Sequence, residues 1–99
     1  MLELDKVDHA TFTPFIGQTF DVVFSDGRLP LTLAAIRTLG SARLGASREP
    51  FALTFHGKPS LRLPQHIYRL EHGTLGAMEV FLVQTGADAS ASQFEAIFN

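Results

Sequence analysis

Four histidines, His9, His56, His66 and His72, are the side chains of this 99-residue chain best suited to acid–base or metal chemistry near neutral pH. His66 and His72 fall on one face of a period-two segment, yet six residues at a rise of about 3.3 Å put them about 20 Å apart, too far to share an ion. His56 stands beside Gly57 and could approach one of them, but a histidine pair without a third ligand makes no zinc site. Structural or surface roles are therefore expected for all four, with no metal and no cofactor. The absence of cysteine removes thiolate and disulfide chemistry. Ser25, Ser41, Ser47, Ser60, Ser90 and Ser92 lie in or next to turns, and none sits in a Gly-x-Ser-x-Gly elbow. The glycines form neither a dinucleotide fingerprint nor a phosphate loop. Arg37, Arg43 and Arg48 flank or occupy the segment 40–49 and could hold an anion, although a solvated loop is the favoured reading. What remains for an enzyme or ligand carrier is His66, Tyr68 and Arg69, placed at the mouth of a barrel.

The elements that must position these residues are strands, because apolar residues recur with period two. In 18–25, Phe20, Val22 and Phe24 share a face, with Asp21 and Ser25 on the other. Asp26-Gly27 follows as a hairpin signal, since a type I′ turn needs positive φ at both central residues. That turn predicts Phe24 opposite Leu29, Val22 opposite Leu31 and Phe20 opposite Leu33. The second strand runs to about Thr38, and Pro30 near its start is tolerable where the strand edge is unpaired or just beginning. Segment 40–49, with two glycines and two serines, reads as an exposed mobile loop. Strands over 51–57 and 66–72 come next, then a three-residue loop, Gly73-Thr74-Leu75, and a strand from Gly76 to about Gln84. That loop pairs Leu70 with Met78, Tyr68 with Val80 and Arg69 with Glu79. Residues 85–91 read as a loop, and Phe94, Ala96 and Phe98 alternate on a last strand. Asp8 to Ile16 reads as one helical turn plugging an end of the β structure. The expectation is an all-β fold: one domain over 1–99, a small antiparallel barrel or sandwich of about six strands. Asp21, Glu71 and Glu79 then face away from the core, where solvent leaves their acidity alone.

Eight basic against ten acidic residues leave a net charge of −2, which gives neither nucleic acid nor a membrane surface a footprint. Met1-Leu2-Glu3-Leu4-Asp5 lacks the character of an export signal, and the apolar runs are far shorter than a membrane span, so a soluble cytoplasmic protein is expected. Charged residues are 18%, against about 25% in an average domain. The fifth strand is apolar on both sides, with Met78, Val80 and Leu82 on one face and Phe81 and Val83 on the other. Ile97 and Val23 likewise stand opposite their own core sets. Two-sided strands are either central or lie at an interface, so Phe81, Val83, Ile97 and Val23 are the expected interaction surface. The function read from this is a non-catalytic protein-binding or assembly module, acting on a protein partner or by self-association.

The runs Phe12-Thr13-Pro14-Phe15-Ile16-Gly17-Gln18-Thr19-Phe20, Arg48-Glu49-Pro50-Phe51-Ala52-Leu53, Leu63 to His72 and Phe94 to Asn99 resemble a family of small bacterial proteins described only as a domain of unknown function. The resemblance covers nearly the whole chain and implies no catalytic residues. It also implies a neighbourhood of phage-tail-collar-like proteins, and so an accessory role in a phage-tail-like or cell-surface system.

Overall fold

The computed structural model describes residues 1–40 and 48–99. The helical turn α1 (His9–Phe12) leads into a 3-10 turn (Thr13–Phe15). Six strands follow among the described residues: β1 (Thr19–Phe24), β2 (Gly27–Thr38), β3 (Phe51–Gly57), β4 (His66–His72), β5 (Gly76–Ala87) and β6 (Ser92–Phe98). They close into a barrel in the order β1-β2-β3-β6-β5-β4, every neighbouring pair antiparallel. The expected choice between barrel and sandwich thus falls to the barrel. Alternation along the strands supplies its contents: Phe20, Val22, Leu31, Leu33, Phe55, Leu70, Met78 and Phe94 are fully buried. Each such side chain contributes roughly 1.5–3 kcal/mol by leaving water.

The barrel consists of two meanders with one plan, β1-β2-β3 and β4-β5-β6, each built on a 12-residue middle strand. β2 pairs with β1 over Gly27–Thr32 and with β3 over Thr32–Thr38. β5 pairs with β4 over Gly76–Leu82 and with β6 over Val83–Ala87. A register irregularity lies in each, between Leu33 and Ala35 and between Gln84 and Gly86. The second lets β5 continue to Ala87, so residues 85–87, expected in a loop, belong to the strand.

The two hairpins fare differently against expectation. Around Gly73-Thr74-Leu75 the pairs are Leu70 with Met78, Tyr68 with Val80 and Arg69 with Glu79, as the sequence predicts. Around the first turn they are not: Phe24 pairs with Gly27, Val22 with Leu29 and Phe20 with Leu31. The turn residues are Ser25 and Asp26, and neither these nor Gly27 takes positive φ. The type I′ assignment and its register are therefore overturned. A slip of two residues returns every side chain to the same face, so apolar still meets apolar and the hydrophobic pattern is blind to it.

Both barrel ends are closed. At one, the Asp8 carboxylate accepts the Thr11 N–H at 3.1 Å while Thr11 Oγ1 accepts the Asp8 N–H at 3.2 Å, the capping box that starts α1. That turn seats Phe12 against Phe51 and Phe98. Arg48 straps the preceding segment down, donating to the carbonyls of Leu4, Val7 (2.6 Å) and Asn99 (3.0 Å) while lying over Phe51 and Phe98. At the other end Leu61 is buried, the Tyr68 hydroxyl donates to the Pro64 carbonyl at 2.6 Å, and Ser92 Oγ donates to the Lys58 carbonyl at 2.8 Å. Gln84 holds the same stretch through the Leu63 N–H and the Leu61 carbonyl.

Candidate interaction surface

Alternation that sends core residues inward sends Ile67, Arg69 and Glu71 of β4, Glu79 and Phe81 of β5, and Glu95 and Ile97 of β6 to the outer wall. Ile67 is 57% exposed, Phe81 52% and Ile97 55%. Ile67 is the direct register partner of Phe81. The β5–β6 ladder pairs Val83 with Glu95, and Phe81 and Ile97 each stand two residues beyond that pair, on the same outer face of their strands. Three adjacent strands thus carry one apolar row across the wall, with half-buried Val83 beside it.

Of the four residues expected at this surface, Phe81, Val83 and Ile97 come together. Val23 does not join them: its register partners are Arg28 on β2 and Arg69 on β4. Ile67 escaped the sequence reading although it was legible, because the register that pairs Arg69 with Glu79 also pairs Ile67 with Phe81.

Around Val23 the wall is ionic. Arg28 meets Glu71 at 2.7 Å and Asp21 at 3.7 Å, and Arg69 meets Glu71 at 2.9 Å. Hydrogen bonds from Arg28 and then Arg69 hold the Glu71 carboxyl below its ordinary range, which corrects the expectation that solvent leaves it alone. Arg69 turns to Glu71 and not to Glu79, its neighbour across the ladder. Arg37 pairs with Glu95 at 2.7 Å, so neither it nor Arg48 presents a free guanidinium to an anion. Arg43, Ser41, Ser47 and most of the expected mobile loop lie outside the described residues.

The histidines scatter. His72 is buried, stacked on Phe20 at 4.6 Å and edge-on to Phe15 at 4.7 Å. Its Nδ1 accepts the N–H groups of Thr74 and Leu75, both at 3.1 Å, so the proton sits on Nε2, which donates to Gln18 Oε1 at 2.6 Å. The ring thereby ties the β4–β5 turn to the plugged end. Among the described residues no three His, Asp or Glu side chains gather as metal ligands.

The trio His66, Tyr68 and Arg69 does not converge. Tyr68 points inward, burial raises its pKa, and its hydroxyl donates to the Pro64 carbonyl. Arg69 is on the opposite face, and His66 is exposed with its ring 5.6 Å from that of Tyr68. A cleft at that end, lined by Leu29, Pro30, Lys58 and Leu61, holds about 80 Å³, well below the ~300 Å³ at which small-molecule sites begin. Asp88, whose carboxylate takes the Ser90 hydroxyl and the Ser90 and Ala91 N–H groups, is lowered in pKa by those bonds and closes the β5–β6 turn.

A family model described as "Domain of unknown function (DUF6916)" matches residues 7–98. The chain belongs to this family. Among curated proteins and among solved structures nothing matches it. Among the described residues of this DUF6916 domain no helix is long and apolar enough to cross a membrane.

Proposed function

We propose that this domain is a non-catalytic protein-binding module that docks through the outer wall of β4, β5 and β6. The observation that carries the reading is the row Ile67, Phe81 and Ile97: three large apolar side chains on adjacent strands, each more than half exposed. Such a contiguous patch, rimmed by charged residues such as Glu79, Glu95 and Arg69, is the anatomy of a protein contact. A bacterial, cytoplasmic accessory of a phage-tail-like or cell-surface assembly would be its setting, a placement that rests on the sequence and the family resemblance. The test is a pull-down from native host lysate with wild type and Phe81→Glu, with light scattering of both at matched concentration. A partner or self-association lost in a variant that keeps the wild-type melting curve supports the reading. A wild type that stays monomeric and retains nothing sensitive to Phe81 overturns it.

A further inference from the structure

We infer that His72 is a proton-operated latch: taking up a second proton on its ring frees the β4–β5 turn from the plugged end of the barrel. The ring lies buried inside that end, stacked on Phe20 of β1 and edge-on to Phe15 of the 3-10 turn, with Gly76 of β5 as its register partner. Both of its nitrogens are engaged. Nδ1 accepts the Thr74 and Leu75 N–H groups, each at 3.1 Å, and Nε2 donates to Gln18 Oε1 at 2.6 Å. Backbone N–H groups donate and never accept, so this arrangement admits the ring with a bare Nδ1 and no other form. A proton added there confronts two donors, and the turn loses both bonds at once.

No anion near the ring answers a positive charge. Among the described residues His72 makes no ion pair. Glu71, its neighbour on β4, and Asp21 of β1 stand on the outer wall with Arg28 and Arg69, and Glu79 of β5 is on that wall too. In the segment before β1, Glu3 holds Lys6 at 2.8 Å, Asp8 caps Thr11, and His9 lies against Phe51. A cation at His72 would thus be stripped of water with no counter-charge in place of it. The latched ring binds one proton fewer than a solvated imidazolium, so the latch holds at neutral pH and loosens as pH falls. The rest of the barrel does not depend on it. Arg48 and the Asp8 cap secure α1 by their own bonds, and the β4–β5 ladder extends away from the turn to His66 and Leu82. What acid opens is the turn 73–75 and its tie to Gln18.

Amide hydrogen exchange on the full chain, corrected for the intrinsic pH dependence of exchange, tests this together with nitrogen NMR of the histidine rings. Between about pH 7 and pH 5 the Thr74 and Leu75 amides should lose about tenfold or more of their protection, in step with protonation of the His72 ring, while the Leu70 and Val80 amides keep theirs. At pH 7 the ring should carry its proton on Nε2. His72→Gln, which does not titrate, should abolish the pH dependence at Thr74 and Leu75; if that variant fails to fold, the ring and amide titrations of the wild type decide alone. A ring that stays neutral until the whole barrel unfolds would overturn the latch and leave His72 a fixed tie. So would a ring that protonates with no loss of protection at the two amides, a loss shared equally by Leu70 and Val80, or a pH dependence that survives in His72→Gln.

Discussion

The two meanders share a plan and differ in how they finish it. In each, the long strand begins before the strand that follows it is paired: β2 over Gly27–Leu31 and β5 over Gly76–Leu82. In the first meander that stretch is blunted. Pro30 offers no N–H, as the sequence reading allowed for an unpaired edge, and Leu29 and Pro30 line a cleft with Lys58 and Leu61 from the segment after β3. In the second, Leu2 makes a single bond at Ala77, and Phe81 and Ile97 stand half in solvent. The bare apolar wall is therefore no consequence of barrel closure, since the same closure is completed elsewhere with proline and a packed leucine.

The largest effect separating the halves should be on stability. Leu61→Ala empties a buried site and is expected to cost about 3 kcal/mol, whereas Phe81→Ala, losing a side chain 52% exposed, should cost about 1 kcal/mol or less. Urea titration of both variants measures this, and a Phe81 loss as large as that of Leu61 would place Phe81 in the core and erase the contrast. Gly57 sharpens the same point. An added Cβ there would stand 2.9 Å from Leu61 Cδ2 and 3.0 Å from Leu31 Cδ2 and Ser92 Oγ, so Gly57→Ala should cost about 1–3 kcal/mol. A Gly57→Ala variant with an unshifted urea midpoint would show that the first seam is loosely packed after all.

The two hairpins extend the comparison with a smaller effect. Gly76 holds φ +83°, where any L side chain is strained, and His72 Nδ1 fixes the turn before it. Gly76→Ala should destabilise by about 1–2 kcal/mol. Gly27 begins β2 without positive φ and with open space around it, so Gly27→Val should shift stability by less than about 0.5 kcal/mol, because a β-branched residue suits a strand. Melting both variants side by side checks the pair, and a large loss at Gly27 would restore the type I′ turn.

These hairpins also show what was legible and why. The second could be read because one loop length alone set apolar against apolar and Arg69 against Glu79. The first could not, because registers two residues apart satisfy the same pattern and the Asp26-Gly27 signal favoured the wrong one. In the observed register Arg28 lies beside Val23 and reaches both Asp21 and Glu71, a tertiary advantage that turn propensity does not encode. Ring closure through β1–β4 and β3–β6 joins strands far apart in sequence and leaves no local signature. Phe81 and Ile97 were readable as apolar residues on a polar face. Arg48 was readable as a cation but not as a strap, since its acceptors are backbone carbonyls 41, 44 and 51 residues away.

The smallest expected effect concerns the seam that charge completes. β1 meets β4 through Asp21–Glu71, Val22–Leu70 and Val23–Arg69, and Arg28 bridges the outer face there. Beyond the β5–β6 ladder the wall carries apolar side chains; where β1 and β4 meet, it carries an ionic cluster about Glu71. The folded state lowers the Glu71 pKa through Arg28 first and Arg69 second, so folding favours the ionised form. That contribution is complete above the carboxyl's ordinary range near about 4.3 and is lost as pH falls through the lowered folded value. Glu71→Gln should therefore reduce stability slightly at pH 7, and the gap from wild type should close as acidification protonates the native carboxylate. Raising salt should narrow the gap at pH 7, because both arginines are about half exposed. Urea midpoints of the two proteins between pH 7 and pH 2 measure it. A gap that widens toward acid would mean that Glu71 is held protonated in the fold, and the ionic seam would then have to be closed by Asp21 and Arg28 alone.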